Sequence, residues 1–205
     1  MAETFEHKYV DVDGIETHYL EAGDPKEQTI VLIHGGGSSS CAELNYGAAI
    51  GPLARDLHVI ALDVVGYGRT PCPSPQYYPA EAQGSFIIRF MEELDIVAHV
   101  GGNSLGGWMA NYVAHESPLR VKTLIVINSR GATATPDDRY VVWDDVLRDY
   151  RPPRRPWTKA KSISKKPPTR DSVRKKMEKN FLNKDLVTEE MVDLVLEIGE
   201  LNHET

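Results

Sequence analysis

Gly102-Asn103-Ser104-Leu105-Gly106-Gly107 decides the fold, because the chain changes character across it. Ile96 to Val100, just upstream, is short, apolar and β-branched, as a buried strand is. Leu105 to His115, downstream, is a helix-compatible run without proline. Ser104 therefore falls on a sharp strand-to-helix turn of the pattern Gly-x-Ser-x-Gly, a nucleophile elbow. Such a turn strains the serine backbone and leaves no room for side chains two residues either side, hence Gly102 and Gly106. It lifts the serine Oγ off the end of the sheet. It also sets the first N–H groups of the helix beside that oxygen, where they can bind a developing negative charge. The pattern alone is a weak signal; the strand before it and the helix after it give it weight.

The flanking sequence supplies a sheet for that turn to sit on. Lys8 to Asp13 and Ile15 to Leu20 alternate around Asp13-Gly14, the signature of a β-hairpin. Thr29 to Ile33, His58 to Leu62 and Val121 to Ile127 are continuous apolar runs, the kind buried on both faces of a parallel sheet. Weakly helical residues 42–55 and residues 80–94 separate them, the latter with Phe86, Ile87, Phe90, Met91 and Leu94 on one face. A Pro-rich loop spans Pro71 to Pro79. Strands alternating with helices imply an α/β fold, a mostly parallel sheet with helices on both faces.

Composition narrows the function classes. The 205 residues suffice for one domain with a core and a smaller subdomain. A net charge of -7 argues against general nucleic-acid binding. The N-terminus has no apolar stretch of a secretory signal, and no apolar run reaches a membrane-spanning length, so a cytoplasmic protein away from the membrane is expected. Cys41 and Cys72 read as unpaired thiols of a reducing compartment, not as a metal site. Nothing calls for a metal or a cofactor, and a homo-oligomer is compatible with the composition.

Beyond Gly131 the composition shifts. Residues 148–176 hold 12 of the 23 Lys and Arg, with Asp149 and Asp171 the only acids. Without aromatic platforms this reads as a solvated, irregular connection rather than a nucleic-acid patch. Thr169 to Leu182 fits a helix with Val173, Met177 and Phe181 on one side. Thr188 is a good N-cap for a second helix, with Glu189 and Glu190 in its first turn and an apolar stripe of Met191, Leu194, Val195, Ile198 and Leu201. The stripe reads as packing, with a roof over a substrate pocket as the sharper alternative.

Reactive loops of an open parallel sheet gather at the carboxyl ends of its strands. His34-Gly35-Gly36-Gly37 follows one such strand and lets backbone N–H groups approach an anion. A hydrolysing serine needs a second N–H to pair with that of Leu105 around a tetrahedral oxyanion. Asp63 with Gly66 and Gly68 follows the next strand and reads as tying down its own loop, with a triad acid as the alternative. Asn128-Ser129 lines a pocket or simply starts a loop.

Together these residues resemble the α/β-hydrolase fold superfamily, with His34-Gly35, Asp63-x-x-Gly66-x-Gly68 and Gly102-x-Ser104-x-Gly106 in its order. Within it the chain looks most like the hydrolases of meta-cleavage products, which cut C–C bonds in vinylogous 1,5-diketones. His34-Gly-Gly-Gly37 with Asn45, Gly102-Asn-Ser-Leu-Gly-Gly107 and the late segments Pro168 to Val173 and Leu186 to Glu190 carry that likeness. The resemblance implies Ser104 as nucleophile, Gly36 and Leu105 as oxyanion donors, and Gly37, Asn45, Asn103 and Trp108 near the substrate. It implies a core over 1–130 and a helical cap over 131–205, inserted after the sixth strand. It also implies a small-molecule substrate. Where the family's cap carries a substrate-binding arginine, this chain reads Asp193-Leu-Val-Leu196, which leaves a carboxylic ester open beside the C–C substrate. The family's triad acid and histidine follow strands seven and eight, which are not found here. The chain thus reads as a C-terminally incomplete serine hydrolase, with a non-catalytic ligand-binding or structural protein on the same scaffold as the alternative. Of the seven histidines, His203 is the least excluded as a base.

Overall fold

Asp13 and Gly14 take φ of 55° and 79°, the left-handed pair that a two-residue hairpin turn of matching twist needs. They join β1 (Glu6–Val12) to β2 (Ile15–Ala22), with Val12 opposite Ile15. The computed structural model describes residues 5–37, 39–77, 79–129 and 168–201. β3 (Thr29–Ile33), β4 (His58–Leu62), β5 (Ala98–Asn103) and β6 (Val121–Ile127) complete a six-stranded sheet of order β1-β2-β4-β3-β5-β6. β3 runs parallel to both β4 and β5, and β5 parallel to β6; β2 meets β4 antiparallel.

The two central strands are buried at every position, and apolar after their first residues, Thr29 and His58, because both faces are covered. Val31, Ile33, Ile60 and Leu62 join Phe86, Ile87, Phe90 and Met91 of α2 (Ala80–Glu93) and Trp108, Met109 and Val113 of α3 (Leu105–Glu116) in one core. Their neighbours Ile30, Leu32, Val59 and Ala61 point the other way, against Tyr46 and Ile50 of α1 (Ala42–Leu53). Successive strand residues alternate faces, so a single apolar run feeds two cores. Each buried Leu, Ile or Phe contributes about 1.5–3 kcal/mol.

β6 departs from expectation. Its apolar run predicts burial on both faces, yet Ile125 is 39% and Ile127 51% exposed. Among the described residues β6 ends the sheet order and pairs with β5 alone, and α3 is the one longer helix that packs on it. The strand before the elbow also runs further than its apolar stretch suggests. It continues through Gly101 and Gly102 to Asn103, because Ile33, Val126 and Ile127 extend the ladder to the turn itself.

The late segment forms α4 (Arg170–Glu178) and α5 (Glu189–Leu201). Thr169 caps α4 in a reciprocal capping box with Ser172. Thr188 Oγ1 accepts from Met191 N–H at the start of α5. The buried face of α5 is Val192, Val195, Ile198 and Gly199. It is turned from the expected stripe, so Leu201 lies exposed at 44%. Val173, Met177, Val187, Val192 and Val195 make a small core against which Leu44 of α1 packs. Arg69 pairs with Glu43 on α1 and with Glu197 on α5. The basic stretch up to residue 167 lies outside the described residues, as does much of the expected cap. No helix among the described residues is long and apolar enough to cross a membrane.

Candidate active site

Ser104 stands at the junction of β5 and α3 with φ 52° and ψ -118°, a conformation that costs a non-glycine residue about 1–3 kcal/mol. Its surroundings enforce it. A Cβ on Gly102 would overlap the Gly106 carbonyl, and one on Gly106 would overlap the carbonyls of Ile33 and His34. A Cβ on Gly107 would stand 2.7 Å from that of Ser129. Ser104 N–H donates to Ile127 O at 3.0 Å, fixing the turn to the end of β6. The Ser104 side chain makes no capping bond to its own helix and is exposed. Leu105 opens α3, so its N–H is among the helix-start donors that have no partner within the helix.

The glycine loop after β3 comes to the same place. A Cβ on Gly35 would stand 3.1 Å from Asn103 Nδ2 and 3.4 Å from Ser104 Cβ. One on Gly36 would stand 3.0 Å from Leu105 Cδ2 and 3.7 Å from Tyr67 Oη. Gly35 is buried and Gly36 and Gly37 are exposed. His34 braces the loop from beneath. Its Nδ1 lies 2.8 Å from Gly35 O, and its Nε2 accepts from Val64 N–H at 3.1 Å. This arrangement requires the neutral ring with the proton on Nδ1, and burial holds the His34 pKa below its ordinary value.

Asp63 is a hub, not a free acid. Oδ1 accepts from Ala42 N–H at 2.7 Å, and Oδ2 accepts from Arg69 N–H at 2.9 Å and lies 2.7 Å from His18 Nδ1. The carboxylate thereby ties the start of α1, the Gly66–Gly68 loop and β2 together. Gly68, at φ 56°, has no side chain because a Cβ there would overlap the Asp63 carboxylate. Burial alone would push the Asp63 carboxyl up. The hydrogen bond from His18 does most to offset this, with a smaller contribution from Arg69 N–H, and the carboxyl is held below the usual range. The loop-tying reading of Asp63 thus describes its bonds.

The remaining expected site residues divide. Asn103 sits beside Ser104 with Oδ1 3.1 Å from Tyr46 Oη. Asn45, in the first turn of α1, directs its amide N–H groups to Ser40 Oγ at 3.1 Å and Cys41 O at 2.9 Å, at the end of the loop before its helix. Trp108 is 7% exposed and stacks on Tyr112 in the core. Ser129 is buried against Gly107. Neither cysteine forms a disulfide; burial pushes the Cys41 thiol up to about 12, and its sulfur caps α1.

Sequence reasoning missed three residues. Tyr46 Oη lies 2.9 Å from Ile33 O as well as near Asn103, pinning the strand end and the elbow together. Burial pushes its hydroxyl up to about 12. His18 links Asp63 to His7, whose Nδ1 is 2.9 Å from His18 Nε2. Ser40 donates to Gly35 O at 2.6 Å. Alternation alone placed His18 on a strand and said nothing of its partner 45 residues on.

None of the described histidines bonds to Ser104. His34 uses both ring nitrogens on the loop, and His18 both on Asp63 and His7. His58 lies against Thr29 and Glu21, His99 against Gln28, and His115 near Glu116. His203 lies outside the described residues.

Comparison with known proteins places this geometry. A model of the alpha/beta hydrolase fold matches residues 28–193. The 2-hydroxy-6-oxo-6-(2'-aminophenyl)hexa-2,4-dienoic acid hydrolase of Metapseudomonas resinovorans is 35% identical over 126 residues, 60% of this chain and 42% of that protein. Lipase 1 of Psychrobacter immobilis is 29% identical over 120 residues, 58% of this chain and 37% of that protein. A serine hydrolase involved in carbazole degradation superposes with a TM-score of 0.71 at 24% identity, covering 98% of this chain and 66% of that one. The chain thus spans less than half the length of the curated relatives it matches. An elbow serine in left-handed strain, a glycine loop packed against it and a parallel sheet under both agree with the family match: the chain belongs to the α/β-hydrolase fold family.

Proposed function

We propose that this protein is a serine hydrolase acting on a small carbonyl compound, with Ser104 as nucleophile and the N–H groups of Gly36 and Leu105 as the oxyanion hole. The observation that carries this reading is the approach of the Gly35-Gly36 loop to Ser104 and Leu105, beside an exposed serine held in a strained turn. Ser104 Oγ attacks the carbonyl carbon and passes its proton to a base, and the oxygen of the tetrahedral adduct takes the negative charge. Two preorganised N–H donors stabilise that charge without reorganisation, an effect worth about 3–4 kcal/mol for a single donor. The adduct collapses to an acyl-serine as the leaving group departs with the proton, and water then releases the acid. The base is a histidine outside the described residues, since each described one holds its ring elsewhere. A serine without such a base is a poor nucleophile at neutral pH.

Residues 131–205 form a helical cap in this reading, of which α4 and α5 are the described part. The named relatives include a dienoic acid hydrolase and a lipase, which supports two substrate classes, the C–C bond of a meta-cleavage-type diketone and a carboxylic ester. Asn103 faces the substrate beside the nucleophile, with Gly37 at the mouth of the loop. Asn45 and Trp108 act from behind, through the loop and under the elbow. A fluorophosphonate tests the reading directly. Label is expected on Ser104 and is lost in Ser104→Ala. A folded protein whose Ser104 takes no label overturns it. Turnover of a coloured dienolate against a p-nitrophenyl ester then separates the two classes.

A further inference from the structure

We infer that Ser40 is a positioning residue: its hydroxyl, oriented by Asn45, locks the Gly35–Gly36 peptide so that the Gly36 N–H faces Ser104. The inference rests on the hydrolase reading for its purpose but not for its geometry. Ser40 Oγ donates to Gly35 O at 2.6 Å, and His34 Nδ1 lies 2.8 Å from the same oxygen. Both lone pairs of that carbonyl are therefore engaged. Ser40 Oγ in turn accepts from Asn45 Nδ2–H at 3.1 Å, which leaves its own proton directed at Gly35 O. Ser40 N–H donates to Gly37 O at 3.0 Å, closing the loop on itself.

The consequence follows from the peptide plane. A trans peptide points its C=O and the next N–H in opposite directions. Fixing the Gly35 carbonyl from one side therefore fixes the Gly36 N–H on the other. A glycine–glycine peptide needs such fixing more than any other, because neither residue has a side chain to limit rotation of the unit. His34 supplies one anchor from the core. A single hydrogen bond leaves the plane free to swing about its axis; the second, from Ser40, removes that freedom. An oxyanion donor is useful only if it is already aimed when charge develops.

The test reads the loop and the site separately. Backbone amide relaxation of Gly36 is measured in the wild type, Ser40→Ala, Ser40→Thr and Asn45→Ala. Phenylboronic acid, whose boron accepts Ser104 Oγ and becomes a tetrahedral anion, is titrated against the same proteins and Ser104→Ala. In Ser40→Ala the Gly36 order parameter falls from about 0.85 towards about 0.6. Its boronate affinity falls about tenfold, equivalent to about 1.4 kcal/mol. Ser40→Thr, which keeps the hydroxyl, restores both, and Asn45→Ala shows the same changes more weakly. An unchanged Gly36 order parameter in Ser40→Ala overturns the lock. A fallen order parameter with boronate affinity within about twofold of wild type overturns the aiming. If the wild type binds boronate no better than Ser104→Ala, the hydrolase reading fails instead, and the Gly36 relaxation still decides the lock.

Discussion

The elbow and the α4–α5 pair are held in opposite ways. Around Ser104 the constraints are backbone against backbone: Gly102 on Gly106, Gly106 on Ile33 and His34, Ser104 N–H on Ile127 O. In α4–α5 five buried side chains make the core, and the rest of the grip is ion pairs at the surface, Arg170 and Arg174 with Glu189 and Asp193. The first region has one conformation available. The second has a shallow well. A site that must hold charge donors in fixed directions is built in the first manner, and an element that must yield to a ligand suits the second.

The largest expected effect lies at Gly106. A methyl group there meets main-chain carbonyls, not flexible side chains, so β3 and α3 must separate. Gly106→Ala is expected to lose about 3 kcal/mol or more in chemical denaturation. A loss below about 1 kcal/mol would show that the elbow can relax, and would remove the contrast with α4–α5.

Asp63 comes next. Asp63→Asn keeps the shape, but replaces an acceptor oxygen with an NH₂ that faces donors. The expected loss is about 2 kcal/mol, from a buried hydrogen-bonded charge. Acid should reveal the same hub. The Asp63 carboxyl titrates below its ordinary 3.8 when folded. The unfolded chain therefore takes up the proton first as pH falls, and the stability Asp63 gives is full above 3.8 and lost below. His34 has the same sign, because its folded pKa lies below the ordinary 6.5. Its contribution is complete above that value and erodes on acidification. The thermal midpoint should fall in two stages, the first beginning below about pH 6.5 and absent in His34→Gln.

How much of this was legible in the sequence follows from what each signal encodes. Periodicity reports which faces are buried, so the hairpin, the central strands, α2 and the elbow could be placed from Asp13-Gly14, Thr29 to Ile33 and Gly102 to Gly106. Gly102 could be read from the elbow pattern because its exclusion by the Gly106 carbonyl is local, whereas the contacts of Gly106 with Ile33 and His34, and of Gly35 and Gly36 with Asn103 to Leu105, join residues about 70 apart in the chain. β6 misled because apolar content says that a strand wants cover, not that the described residues supply it. Partners distant in the chain were invisible. Nothing around Tyr46 announces that its hydroxyl reaches Ile33 O, or around His18 that it holds Asp63. Asn45 was expected near the substrate on resemblance alone, and nothing in the sequence announces that its amide also bonds Ser40 and Cys41. Phase on a helix also escapes a stripe count: α5 buries Val192, one residue off the expected pattern.

Tyr46→Phe sharpens the contrast at smaller amplitude. It removes one hydroxyl shared between two acceptors and should cost about 1 kcal/mol, with boronate affinity for Ser104 reduced only a few-fold. Hydrogen exchange should then separate the regions without mutation. Amides of α4 and α5 are expected to open at a lower free energy than those of β3 and β5, because so few buried side chains hold them. Equal protection would mean that Leu44 and the Arg69 pairs fuse the helices to the core.

The smallest effect is expected where the ion pairs are most conspicuous. Arg174 bonds Glu189 and also donates to Val187 O at 3.3 Å, with 29% of its side chain and 64% of that of Glu189 exposed. Water and salt screen such a pair, and fixing two long side chains costs entropy that offsets the attraction. Arg174→Ala should therefore move the thermal midpoint by no more than about 2 °C, and raising salt should move the wild type as little. The small α4–α5 core, not the ring of charges around it, would then be what keeps the helices paired. Met177→Ala provides the counterweight: it empties part of that core and should lower protection throughout α4 and α5 while leaving β3 and β5 unchanged. If Arg174→Ala instead proves the more damaging of the two, electrostatics and not burial holds this segment, and the shallow well described above belongs to the wrong force.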